Sequence, residues 1–239
     1  GLLARLGVAD QAGNAELSLT RSNMRRTMRL AGYKRLVSAN DWGRPLSFGS
    51  SLSALFFGRD DGFYYRAAGA EFQFGTEQGP RVEWRVFRER QWGAEQETSF
   101  SVAGDFIPNI AAAGITLTGM SARHIGELGA DPRGFRLLTD LRLEGATGDS
   151  TYGRAALDIT LSRALFSSGA VALTLGGGSS LGELPIQRRW FLGGTHTVRG
   201  QSADTAQSGS AFWLGRLELA RTATGVRTSL FGDLGWVGD

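Results

Sequence analysis

The chain has 239 residues, with 35 Gly, 5 Pro and no Cys, and its 26 basic and 23 acidic side chains leave a formal charge of +3. Without Cys it cannot form a disulfide scaffold, a zinc ribbon or an iron–sulfur site, and it lacks the ~18 consecutive apolar residues of a membrane helix. Its basic residues, all Arg except Lys34, are dispersed among apolar positions instead of gathered in a patch or tail, so no nucleic-acid partner is expected.

Glycine at this level weakens helices, and the apolar residues recur with a period of two. Taken in chain order, strands are predicted at 2–9, 14–22, 25–38, 44–57, 62–75, 80–92, 96–104, 111–121, 134–145, 151–163 and 169–179. Two more follow a long gap, at 210–221 and 225–236. The alternation is clearest in three places. Val82, Trp84 and Val86 face one way, and Arg81, Glu83 and Arg85 the other. Phe135, Leu137, Thr139, Leu141 and Leu143 oppose Arg136, Asp140, Arg142 and Glu144. Ala155, Leu157, Ile159 and Leu161 oppose Arg154, Asp158, Thr160 and Ser162. Short turn-like stretches connect strands at Gly58–Gly62, Glu77–Pro80 and Thr147–Ser150.

Several of these strands run to ~10–14 residues, against ~5–6 for a soluble strand and ~9–11 for a tilted membrane strand. Alternation alone fits a soluble sandwich equally well. Length favours an all-β transmembrane antiparallel barrel with apolar side chains toward lipid and polar ones toward the lumen. Trp42, Tyr64, Tyr65, Trp92, Tyr152, Trp190, Trp213 and Trp236 near strand ends are expected to form the aromatic girdles at the membrane interfaces.

One segment breaks the pattern. The gap at about 182–209 is far longer than the usual ~4–6 residues between elements. It is not low-complexity, for it holds Pro185, Arg188, Arg189, Trp190 and Phe191, and it reads as an ordered loop with a function.

Within it lies Arg189-Trp190-Phe191-Leu192-Gly193-Gly194-Thr195-His196-Thr197-Val198-Arg199-Gly200. This resembles the signature of the bacterial surface-antigen family, the barrels related to BamA, TamA and the two-partner-secretion transporters. In that family an aromatic-Leu-Gly-Gly stretch in the sixth extracellular loop precedes Val-Arg-Gly. The next position here is Gln201, where the family has an aromatic residue. Two further stretches follow in the family's order. Gly215-Arg216-Leu217-Glu218-Leu219 is similar to its next strand, and Phe231-Gly232-Asp233-Leu234-Gly235 to the strand after that.

The resemblance implies a sixteen-stranded outer-membrane barrel, with residues 1–239 a partial barrel domain and the loop folded inward from the extracellular side. Eleven predicted strands before the loop and two after it then place three closing strands beyond Asp239. It further implies that the protein inserts or translocates other proteins at the bacterial outer membrane. Its partners would be outer-membrane lipids, unfolded or nascent β-barrel or secreted clients, and periplasmic accessory proteins. A transporter dedicated to one secreted substrate and a passive porin or structural barrel are the alternatives. The residues add a physical reading. Glu218 and Asp233 fall on polar faces of adjacent strands, where like charges repel. A guanidinium between them, supplied by Arg199, relieves that repulsion with paired hydrogen bonds. Gly193, Gly194 and Gly200 are expected to allow the tight backbone this needs.

Other motifs are set aside, and no enzyme activity, cofactor or metal is expected. Gly178-Ser179-Ser180-Leu181-Gly182 matches a nucleophile elbow in letters, but no helix pattern follows and no Asp lies between Ser180 and His196. Gly176-Gly177-Gly178 lacks the Lys-Ser/Thr of a phosphate loop. His124 and His196 are the only histidines.

Overall fold

A computed structural model describes residues 1–6, 13–42, 56, 62–76, 81–94, 102, 108–131, 133–165, 168–194, 196–201, 207–223 and 226–239. Period-two patterning puts apolar and polar residues on opposite faces of extended chain, and the described residues are built almost wholly of strands. Nine precede the long loop: β1 (Leu2–Leu6), β2 (Gly13–Ser22), β3 (Arg26–Ser38), β4 (Tyr64–Thr76), β5 (Arg81–Gly93), β6 (Ile115–Leu128), β7 (Phe135–Gly148), β8 (Tyr152–Leu165) and β9 (Gly169–Gly182). Inside the loop, β10 (Trp190–Leu192) and β11 (Gln207–Gly209) pair as a separate two-stranded sheet. β12 (Ala211–Ala223) and β13 (Val226–Gly238) follow. The remaining eleven strands form one antiparallel sheet in chain order, with β9 joined to β12.

The strand count differs from the expectation. β3 pairs directly with β4, and β5 with β6, so no further strand stands between either pair. The expected strands at 44–57 and 96–104 lie outside the described residues except at Phe56 and Val102. The turns at 58–61 and 77–80 lie outside them altogether. Among the described residues, nine strands precede the loop, not eleven. Alternation within a stretch reveals extended chain, but not whether that chain joins a given sheet.

The register fixes two faces of opposite character. On the outer face, Leu19, Leu30, Phe72, Val86 and Met120 lie side by side across β2 to β6. Leu161, Leu173 and Leu217 do the same across β8, β9 and β12. All of these are exposed. The inner face carries the charges, and they are paired. Arg29 bonds Glu16 and, at 2.9 Å, Glu71. Arg35 and Arg85 each reach Glu71 at 2.8 Å, and Arg85 reaches Glu89 at 2.8 Å. Farther round, Arg123 bonds Asp140 at 2.7 Å, and Arg142 bonds Asp158. A buried charge without a partner costs several kcal/mol, and this pairing offsets much of that cost for the buried members. Asp41, just beyond β3, reaches Arg154 on β8 at 3.0 Å. The sheet therefore curls around its inner face.

The expected aromatic girdle is partly overturned. Tyr65 and Trp190 are each 1% exposed, and Tyr152 is also buried. Tyr152 donates its hydroxyl to Glu144 at 2.6 Å. Trp42 packs inside, its ring centroid 4.9 Å from that of Phe212. Strand-end position suggested an interface, but for Tyr65 and Tyr152 strand parity puts the ring inside. Trp213 and Trp236 do face outward, directly opposite each other on β12 and β13 and each about half exposed.

Close packing on the inner face constrains glycine. A Cβ on Gly178 would lie 2.5 Å from the Phe212 ring and 2.8 Å from the Ala155 carbonyl oxygen. Gly178→Ala is expected to destabilise the fold by ~1–3 kcal/mol through overpacking. A lower urea midpoint, read from the mobility of folded and unfolded protein on unboiled gels, would register the loss.

Candidate functional site

The loop after β9 lies on the inner face and touches strands far apart in the sheet. It enters through a 3-10 turn, Ile186–Arg188, set by Pro185. Gln187 donates to the Gln91 side chain at 3.0 Å and exchanges bonds of 3.0 and 3.1 Å with the Ala113 backbone. Arg188 reaches Glu89 of β5 at 2.9 Å and Glu144 of β7 at 3.5 Å. Its guanidinium lies over the Tyr65 ring, 5.4 Å from the centroid. Burial works against the charge on Arg188, but Glu144 and its other anionic neighbours outweigh it and raise the pKa well above the usual arginine value.

Three consecutive side chains then bury themselves. Trp190, Phe191 and Leu192 are all buried. Trp190 donates Nε1–H to Ser180 Oγ at 3.0 Å and packs on Phe212 with centroids 4.9 Å apart. Phe191 packs on Phe63, also at 4.9 Å. Ser180 is thus a hydrogen-bond acceptor at the end of β9. Burying three such side chains contributes up to ~1.5–3 kcal/mol each.

Gly193 and Gly194 follow at φ of 136° and 89°, conformations that side chains with a Cβ rarely adopt. They reverse the chain and close a compact turn. Gly193 N donates to Thr197 Oγ1 at 2.8 Å, Thr197 Oγ1 donates back to the Gly193 carbonyl at 2.9 Å, and Gly194 N donates to the Gln201 carbonyl at 2.9 Å. Gly200 does not share this role. It is absent from the positive-φ glycines, and a Cβ there would meet nothing within 4 Å.

The turn delivers Arg199 to β12 and β13. Its Nε and Nη2 bond the two oxygens of Asp233 at 2.8 and 2.7 Å, and Nη1 bonds Glu218 at 2.8 Å. Its backbone N–H adds a bond of 2.9 Å to Asp233. The Asp233 side chain is only 2% exposed, and the guanidinium stacks 4.0 Å from the Phe231 ring centroid. Hydrogen bonding from Asp233, seconded by Glu218, holds the Arg199 pKa above its ordinary value. Register explains the geometry. Glu218 lies opposite Phe231, and Arg216 lies opposite Asp233, so both carboxylates share the inner face one rung apart. Arg216 Nη1 also donates to the His196 carbonyl at 2.9 Å, and Arg227 bonds Glu218 at 2.9 Å.

Gly235 makes room for the loop. A Cβ there would lie 2.7 Å from Leu192 and 3.1 Å from Val198. Gly215, by contrast, sits on the outer face between Leu175 and Leu234 and takes no part in the contact. The structure thus gathers Phe191, Leu192, Gly193, Gly194, Val198, Arg199, Glu218, Phe231, Gly235 and Asp233 where the loop meets the wall; Gly215 and, within the loop, Gly200 take no part in that contact. Sequence reasoning missed the second anchor, Gln187 and Arg188 with Gln91, Glu89 and Glu144. Its signal was two polar residues ahead of an aromatic pair in a segment already read as folded inward.

The class so defined is a curled antiparallel sheet, apolar outside and charged inside, with an infolded loop ion-paired to its inner face. Residues 132–239 match the Omp85 superfamily domain. No curated protein sequence matches the chain. Among solved structures, CdiB from Acinetobacter baumannii is similar over 99% of this chain at 14% identity, with a TM-score of 0.55. At that identity the likeness shows the fold, and the chain spans 42% of the length of CdiB. LpxR from Salmonella typhimurium aligns over 94% of this chain and 88% of its own at 9% identity, but its TM-score of 0.34 supports no argument.

Removing one partner from a buried ion pair costs ~3–5 kcal/mol. Arg199→Ala is therefore expected to speed amide hydrogen exchange at residues 193–201 on the order of 100-fold, with β12 and β13 unchanged. Arg199→Lys, which keeps the charge but not the fork, is expected to fall between the two.

Proposed function

We propose that the chain is part of the wall of a closed transmembrane barrel of the sixteen-stranded type, which inserts or translocates client proteins at the bacterial outer membrane. The observation that carries this reading is the Arg199 clamp on Asp233 and Glu218, which holds a long loop against the inside of the wall. A loop held there narrows the lumen and can seal it, as passage of a client requires.

Several features support the membrane setting. Most wall strands have 13 or 14 residues, above the ~9–11 needed to cross a bilayer. The outer face is an apolar band and the inner face is polar. Connections also differ between the two ends of the sheet. Those at 23–25, 77–80, 129–134, 166–168 and 224–225 are short and share one end. At the other end, those at 39–63, 94–114 and 183–210 are long, and the turn at 149–151 between β7 and β8 is the short exception. In outer-membrane barrels the short turns are periplasmic and the long connections extracellular, so the loop enters from outside.

On this reading, clients are recognised through main-chain pairing at an exposed strand edge, which places little demand on client sequence. Outer-membrane lipids surround the wall, and periplasmic accessory proteins act at the short-turn end. Nascent barrels and a dedicated secreted substrate are the two client classes. The full-length protein carrying Arg199→Ala is expected to deliver its clients on the order of tenfold less well while remaining folded in the membrane. Quantifying client barrels in the outer membrane and secreted protein in the medium separates assembly from secretion. Undiminished delivery of both, with the loop shown to be free by hydrogen exchange, would remove the loop from the mechanism. Independently, Leu217→Arg at the middle of β12 is expected to cost ~2–4 kcal/mol in lipid, measured by urea unfolding in liposomes.

A further inference from the structure

The outer face is not uniformly apolar, and its exception is local. Four rungs cross β3, β4, β5 and β6 in register. Beginning nearer the short turns they read Met28–Phe74–Trp84–Ala122, then Leu30–Phe72–Val86–Met120, then Gly32–Ala70–Arg88–Thr118, and last Lys34–Ala68–Arg90–Thr116. The two rungs nearer the long connections thus bring three cations onto a surface that is otherwise apolar below them. Lys34, Arg88 and Arg90 are all exposed. Among the described residues they have no ion-pair or hydrogen-bond partner, although nearly every inner-face arginine of β3 to β8 has one. The described outward positions of the sheet hold no carboxylate at all.

Other outward cations fall elsewhere. Arg21, Arg26, Arg163 and Arg221 each lie within three residues of the short-turn end of their strand. Arg66, the remaining one, is buried and bonds Asn14. Lys34, Arg88 and Arg90 are therefore a cluster at the opposite rim. Strands lie ~4.8 Å apart, so Lys34 and Arg90 stand about 10 Å apart across Ala68, within joint reach of one anion. Gly32, Ala68 and Ala70 leave the ground between them open. The Thr116 and Thr118 hydroxyls flank the arginines on the same face and can donate as well. Directly below, Leu30, Phe72, Val86 and Met120 offer an apolar bed.

We infer that Lys34, Arg88 and Arg90 form a binding site for the phosphate of a phosphorylated glycolipid in the outer leaflet, whose acyl chains lie along the rung below. The inference rests on the membrane reading and its orientation, since only there does this rim meet that leaflet. Unbalanced positive charge at the upper edge of an apolar band attracts anions at that depth, and the acyl bed selects anions attached to lipid. Arginine forks match phosphate oxygens in pairs.

Native mass spectrometry of the full-length protein in detergent tests this with three probes: bisphosphorylated lipid A, the same lipid without phosphates, and phosphatidylglycerol. The wild type is expected to retain the phosphorylated lipid A preferentially. With about a fivefold contribution per cation near a lipid surface, Arg88→Gln combined with Arg90→Gln is expected to weaken binding on the order of 10- to 30-fold. Arg21→Gln with Arg26→Gln, at the other rim, is expected to leave it unchanged. Equal retention of the dephosphorylated lipid, equal retention by the double variant, or preference for phosphatidylglycerol would overturn the site. Heat-modifiable gel mobility confirms that each variant is folded, and Arg88→Lys with Arg90→Lys, which keeps the charge, is expected to retain most of the binding if the double Gln variant does not fold. The membrane reading is checked separately by insertion of the wild type into liposomes, so its failure is distinguishable from loss of lipid selectivity.

Discussion

Charges turned toward an enclosed face must neutralise one another, and the interior of this sheet is organised by that requirement. Period-two alternation sends Glu16, Glu71, Glu89, Glu144 and Asp158 inward together with Arg29, Arg35, Arg85, Arg142 and Arg154. The structure joins them into a nearly continuous chain of guanidinium–carboxylate contacts. All but one of the 26 basic residues are arginine. The reason is geometric: a planar fork can bond two carboxylates on different strands at once, as Arg85 does with Glu71 and Glu89, whereas an ammonium is a point charge with no such fixed geometry. The loop joins this lattice as another member. Arg188 closes the distance between Glu89 and Glu144, which neighbouring strands alone do not bridge.

Docking of the loop combines two kinds of force with different roles. Burial of Trp190, Phe191 and Leu192 supplies most of the affinity but little direction, since apolar contact tolerates sliding. The ion pairs at Arg188 and Arg199 select one position, because a displaced guanidinium leaves buried carboxylates unpaired. Glycine provides the clearance. Gly235 lets Leu192 and Val198 approach the backbone of β13, and Gly193 and Gly194 turn the chain between the apolar run and the Arg199 clamp.

Much of this was legible in the sequence, for identifiable reasons. Strand positions from β2 to β9 follow from alternation that persists over whole membrane-length stretches, except that β6 (Ile115–Leu128) runs seven residues past the end expected at 121. Arg199, Glu218 and Asp233 are legible because they lie in the three stretches that resemble the surface-antigen family, and because the two carboxylates fall on polar faces of adjacent strands. Glu89 and Glu144 are not, because their approach to Arg188 depends on how the whole sheet curls, and no local pattern encodes that. Tyr65 and Tyr152 were assigned to the interface from their place along the chain, when their parity with Glu71 and Glu144 already pointed inward. The extra strands at 44–57 and 96–104 came from reading extended character as membership of the wall, while the pairing of β3 with β4 and of β5 with β6 depends on partners distant in sequence.

The two guanidinium anchors sit on one short tether, and this has a kinetic consequence. If either foot lifts, the other keeps it at millimolar effective concentration over its own socket, so re-docking outruns escape. The loop is therefore slow to leave by thermal fluctuation alone, yet it yields stepwise to any agent that occupies one socket while the second opens. A basic group competing for Glu218, or an acidic one competing for Arg199, is such an agent.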